Sequence, residues 1–153
     1  MKMYVAYGSN LDEKIMSKRC ADSELVGSGR LSGWRLMFKG DLPYSYATVE
    51  EWEGYEVPVL LWAVSDEDER FLDMVEGYPE VYQKLNVEVE VEGKKVTGFM
   101  YVKPDSERLN PPSDHYYAVL YDAYKKLGFD LSILTEALRF SDVIIGARIE
   151  RRQ

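Results

Sequence analysis

The run Val59-Leu60-Leu61-Trp62-Ala63-Val64 is apolar without interruption. A strand with one wet face alternates apolar and polar residues, whereas a strand without alternation is covered on both faces. The chain therefore folds around a central strand. Segment 3–7 is a second, shorter apolar and aromatic strand, entering a turn at Gly8-Ser9-Asn10. Segments 25–31, 34–38 and 45–50 have strand character, punctuated by Gly27, Gly29, Gly33, Gly40 and Pro43. From Asn86 to Glu92, Val and Glu alternate, and Gly93 turns the chain into a partner strand over 96–102, predicting a hairpin.

Helices are legible by their period and caps. Segment 12–20 has Leu11 and Ile15, and Met16 and Cys20, at i,i+4 spacing, with Ser9 or Asn10 available as its cap. Ser65-Asp66-Glu67-Asp68 resembles a capping box, with Phe71, Met74 and Val75 as the apolar stripe behind it and Gly77 and Pro79 as its end. Tyr116, Leu120, Ala123 and Leu127 form a stripe closed by Lys125, Lys126 and Gly128, and a further helix follows through Leu131, Leu134 and Leu138. The segment 143–149 reads as a strand before the basic pair Arg151-Arg152. Strand runs with helices inserted among them, rather than regular alternation, predict an α+β fold. Glycines inside strands favour a mixed, strongly curved sheet closing into a small barrel with surrounding helices.

With 153 residues the chain is the size of one domain, taken here as 1–153, and buries roughly 70% of its unfolded surface. It therefore needs no disulfide or metal to hold a core. A net charge of -8 argues against nucleic acid and anionic membranes as partners. One Cys (Cys20) and one His (His115) exclude a disulfide framework and a Cys/His zinc site. Cys20 reads as a packed thiol suited to a reducing compartment, and His115 as an exposed residue at a helix start. No apolar run reaches the ~18 residues of a membrane helix, and the stretch before Gly8 is too short for a signal peptide. The expectation is a cytoplasmic monomer or homodimer without cofactor or metal.

Two places break local rules. Gly8 in the turn Tyr7-Gly8-Ser9-Asn10-Leu11 lets a ligand approach backbone N–H groups, although a plain capping turn uses the same residues. Glu76 stands in the last turn of a helix, where the dipole favours a cation, beside Met74, Val75 and Tyr78. Enclosed there, its pKa rises from the reference ~4.3; left in water, it is an ordinary surface Glu. Tyr116 is able to reach a ligand through its hydroxyl or to pack within its helix stripe.

Taken in order, Tyr4-Val5-Ala6-Tyr7-Gly8-Ser9-Asn10-Leu11, Gly29-Arg30-Leu31, Glu76-Gly77-Tyr78-Pro79-Glu80-Val81-Tyr82 and Pro111-Pro112-Ser113 resemble the gamma-glutamyl cyclotransferase superfamily. The resemblance implies a small barrel with helices around it. It implies that the turn holds a substrate's glutamyl end through Tyr4, Val5, Ala6, Tyr7, Gly8 and Ser9, with Glu76 as catalytic acid/base and Tyr116 lining the same cavity. Gln83-Lys84 follows the second motif where bacterial relatives often carry Arg. The implied reaction closes a gamma-glutamyl amine or amino acid to 5-oxoproline, the substrate's own α-amine acting as nucleophile. The alternative is a binding module that holds a carboxylate ligand at the turn without catalysis.

Overall fold

A computed structural model describes residues 1–41 and 43–142; the strand expected over 143–149 lies outside them. The elements are β1 (Lys2–Ala6), a 3-10 turn (Ser9–Leu11), α1 (Glu13–Arg19), β2 (Glu24–Lys39), β3 (Tyr46–Val64) and α2 (Asp66–Glu76). They continue with β4 (Gln83–Val91), β5 (Lys94–Val102), α3 (Asp114–Leu127) and α4 (Leu131–Ser141). The unalternating run forms the inner half of β3, buried throughout and flanked on both sides by antiparallel partners. Trp62 stands opposite Tyr4 of β1, and Leu60 opposite Ser28 of β2.

The five strands close into a barrel in the order β1-β3-β2-β4-β5, with β5 returning parallel to β1 at Tyr4 and Phe99. Two glycines allow the closure. A side chain added at Gly29 would stand 2.7 Å from the Glu90 carbonyl oxygen, and one at Gly98 would stand 2.8 Å from a Val5 methyl. Both distances are shorter than real side chains show, so each seam of the barrel depends on an absent Cβ. The β4–β5 hairpin turns through Glu92 and Gly93 at φ of 49° and 77°, the pair of left-handed residues that a type I′ turn requires.

Four expectations need correction. Segments 25–31 and 34–38 are one strand, whose register shifts between Ser32 and Trp34 without breaking the pairing. The partner strand β3 also runs through 51–58; over 51–56 both faces meet water, and exposed Glu51, Glu53 and Glu56 hide the strand signal. Helix α1 is capped by Asp12, whose carboxylate accepts from the Lys14 and Ile15 N–H groups, and not by Ser9 or Asn10. Lastly, Phe71, Met74 and Val75 of α2 are exposed; the helix turns Leu72 and the capping-box residue Asp68 inward instead.

The remaining helices follow their patterns. α3 buries Leu120, Ala123 and Tyr124, and α4 buries Leu134 and Ala137. The Ser141 hydroxyl accepts a hydrogen bond from the Phe38 N–H at 2.8 Å, pinning α4 to β2. None of the helices described is long and apolar enough to cross a membrane.

Candidate active site

The chain leaves β1 and crosses the barrel end through Tyr7-Gly8-Ser9-Asn10, where a cavity of about 810 Å³ opens. Asn10 organises this turn and is itself buried. Its amide donates to the Tyr4 hydroxyl at 2.9 Å, its side-chain oxygen accepts from Arg19 at 2.8 Å, and its backbone carbonyl accepts from the Trp62 indole at 3.1 Å. A side chain with both a donor and an acceptor is needed to satisfy these partners together. No residue described accepts a hydrogen bond from the Gly8 or Ser9 N–H. A Cβ on Gly8 would lie 3.2 Å from the Tyr116 hydroxyl, so glycine keeps open the space between that hydroxyl and the turn.

Glu76 reaches the same cavity from the last residue of α2. Gly77, in the left-handed conformation at φ 69°, ends the helix immediately beyond it. Burial pushes the Glu76 carboxyl up to about 7, against the opposing pull of the Arg19 and Lys103 cations. No lysine or arginine described lies within ion-pair distance of it. Four tyrosines complete the wall. Tyr7 donates to the Tyr101 carbonyl, Tyr82 donates to the Ala47 carbonyl at 3.2 Å, and Tyr116 accepts from the Ala47 N–H at 3.2 Å. Burial raises the pKa of Tyr4, Tyr7, Tyr82 and Tyr116, keeping all four hydroxyls neutral near neutral pH.

Of the residues singled out in the sequence, Tyr4, Tyr7, Gly8, Ser9, Glu76 and Tyr116 line this one cavity. Val5 and Ala6 do not; they are core residues of β1, paired with Leu61 and Leu60. His115 is exposed at the cavity's edge, and Cys20 is buried with its thiol directed to the Asp68 carbonyl.

Several lining residues were not legible. Arg19 reads as an ordinary helix-ending cation, yet its guanidinium turns back onto Ser9 and Asn10. Lys103 ends a strand and is buried, its ammonium donating to the Lys39 and Tyr44 carbonyls at 2.7 and 3.2 Å. It thereby ties the end of β2 to Tyr44, and Gly40, Asp41, Pro43 and Tyr44 line the cavity beside it. Lys84, the second residue of the Gln83-Lys84 pair, bridges Glu69 and Asp73 on α2 and lies over the rings of Tyr78, Phe99 and Tyr101. No spacing rule connects these positions; only the closed barrel brings them together.

Among solved structures, the chain is similar to one described as gamma-glutamyl cyclotransferase, at 24% identity and TM-score 0.80, covering 89% of this chain and 85% of the other. It is similar to a protein from Homo sapiens described as uncharacterised, at 25% identity and TM-score 0.79 with the same coverage. YkqA from Bacillus subtilis matches at 20% identity and TM-score 0.76 over 92% of this chain, which spans 54% of that protein. No curated protein matches the chain. Apart from the first two residues of β1, the barrel, with the turn and Glu76 at one cavity, falls within residues 4–122. That span matches the family described as Gamma-glutamyl cyclotransferase, AIG2-like, and the chain belongs to this family.

Proposed function

We propose that this protein closes a gamma-glutamyl amine or gamma-glutamyl amino acid to 5-oxoproline and releases the amine or amino acid. The observation that carries this reading is one half-buried carboxyl, Glu76 at about 7, facing the same cavity as the open turn at Gly8 and Ser9. A general acid/base works best when its pKa lies near the working pH.

The proton balance suits a single carboxyl. The substrate's α-ammonium carries three protons and the lactam nitrogen keeps one, so two protons must leave it. The ionised Glu76 takes the first, freeing the amine to attack the side-chain carbonyl carbon and form the new C–N bond. The protonated Glu76 gives that proton to the departing nitrogen as the old C–N bond breaks. The second proton follows the same way, and the amine leaves as an ammonium. The enzyme supplies no nucleophile, because attack is intramolecular; folding the substrate into near-attack geometry contributes ~7–11 kcal/mol to such reactions. Neutral hydroxyls from Tyr4, Tyr7, Tyr82 and Tyr116 surround the reacting groups without competing as bases. The test is to incubate the purified protein with a panel of gamma-glutamyl amines, amino acids and peptides. Formation of 5-oxoproline with stoichiometric amine is expected. Binding of the panel without any 5-oxoproline identifies a carboxylate-binding module instead.

A further inference from the structure

The cavity holds two strong cations, and their surroundings differ. Lys103 is already engaged, with its ammonium on two backbone carbonyls and over the rings of Tyr46 and Tyr82. Arg19 is held but not used up. One terminal nitrogen, Nη1, donates to the Asn10 side chain at 2.8 Å and to the Ser9 hydroxyl at 3.3 Å. Its Nη2 and Nε have no acceptor among the described residues, and no carboxylate described lies within ion-pair distance of it. Both contacts of Nη1 are to the turn whose Gly8 and Ser9 N–H groups have no acceptor among the described residues, and Arg19, Gly8 and Ser9 all line the cavity.

A planar guanidinium with its fork left open and its orientation fixed by neutral partners is suited to take a carboxylate through two parallel bonds. A half-buried cation without an ion pair is also costly to keep, and a ligand anion would compensate it. We infer that Arg19 is the receptor for the α-carboxylate of the glutamyl group, and so the residue by which this cavity distinguishes a gamma-glutamyl compound from the corresponding 4-aminobutanamide. This rests on the reading of the cavity proposed above. It also divides the cavity: the glutamyl end lies at the turn, leaving Gly40, Asp41, Tyr44 and Lys103 for the departing group.

The test crosses two enzyme variants with two substrate pairs. One pair is a gamma-glutamyl alkylamide and the N-alkyl-4-aminobutanamide that differs only in lacking the α-carboxylate. The other is 5-oxoproline and 2-pyrrolidinone, measured by binding, with glutarate as a plain carboxylate probe. Arg19→Met should lower kcat/KM for the carboxylate-bearing substrate roughly 10- to 100-fold more than for its partner, as expected for a charge-assisted contact. It should also remove the binding preference for 5-oxoproline over 2-pyrrolidinone. Arg19→Lys, which keeps the charge but not the fork, should retain part of the discrimination and shows that the fold is intact.

If Arg19 only props up Ser9 and Asn10, both members of each pair lose equally, and the inference is overturned although cyclisation stands. Arg19-dependent binding of 5-oxoproline and glutarate without any cyclisation has the opposite result: the receptor stands and the proposed reaction falls. A wild-type protein that binds none of the carboxylates overturns both.

Discussion

Helix α2 carries three acidic residues along one face, Glu69, Asp73 and Glu76, and treats the last differently from the first two. Glu69 accepts from both Lys2 and Lys84 at 2.8 Å; Asp73 accepts from Lys84 at 2.7 Å and from the Tyr101 hydroxyl at 2.6 Å. Burial raises the proton affinity of Glu69, but the two lysines prevail and hold its carboxyl below the ordinary range. Glu76, two turns from Glu69, has no cation in contact among the described residues and is raised to about 7. Spacing of four and three residues gives the three a shared face, so the difference does not come from the helix itself. It comes from what the barrel sets against each position: β1 and β4 bring lysines to the first two, and an open cavity lies beside the third. The paired acids fasten α2 to the barrel and thereby hold the unpaired one in place.

The strongest way to break this contrast is to remove the unpaired acid. Glu76→Gln keeps the shape but cannot exchange a proton at neutral pH. It should lose ~10²–10⁴-fold in kcat while still binding 5-oxoproline. In the wild type the acid limb of kcat/KM should fall near pH 7, since Glu76 must be ionised to take the first proton. Stability carries the opposite sign. With its folded pKa above the unfolded value, Glu76 holds more protons when folded, so stability falls as pH rises from about 4.5 to 7. Glu76→Gln should therefore be more stable than wild type at pH 8, on the order of 2 kcal/mol, and close to it at pH 4. Near wild-type turnover in the folded variant would assign the proton transfer to another group.

The paired side predicts a different kind of damage. Lys84→Met leaves Asp73 with only the Tyr101 hydroxyl and Glu69 with only Lys2. It should destabilise the protein by about 1–3 kcal/mol, read as a fall of several degrees in melting temperature. The acid limb near pH 7 should stay where it is, and kcat/KM should remain within tenfold. A large movement of that limb would show that the clamp and the catalytic acid are electrostatically one group, and the contrast along α2 would dissolve.

How much of this was visible in the sequence follows from the range of the interactions. The unalternating run at 59–64, the capping box at Ser65 and the Gly93 hairpin are local signals, and each fixes its element without help. Glu76 was visible because an acid at a helix end contradicts a local rule, and the turn at Gly8 because a glycine between strand and helix does a local job. The joining of 25–31 with 34–38, and the strand through 51–58, depend on a partner strand that no short window contains. Arg19 was hidden for a similar reason: a basic residue in a helix's last turn satisfies the dipole rule, so nothing marked it as turned toward Ser9 and Asn10. Lys103 and Lys84 make their main contacts with groups distant in the chain, Lys103 with the Lys39 and Tyr44 carbonyls and Lys84 with Glu69 and Asp73.

The smallest expected effect sharpens the comparison most finely, because it changes Glu76 without touching α2. Lys103 lowers the proton affinity of Glu76 from across the cavity and is not an ion-pair partner. Lys103→Met preserves the length of the buried side chain and removes the charge. A screened unit charge at cavity distance contributes on the order of 1 kcal/mol or less, so the acid limb should move up by roughly half a pH unit. The lost bonds to the Lys39 and Tyr44 carbonyls should loosen the cavity wall at Gly40, Asp41 and Tyr44 and raise KM more than they lower kcat. The pH profile separates the two consequences, since a loosened wall alone changes KM at every pH and leaves the limb unmoved. A limb that stays at its wild-type position in a folded Lys103→Met protein would mean that burial and Arg19, without Lys103, set the proton affinity of Glu76.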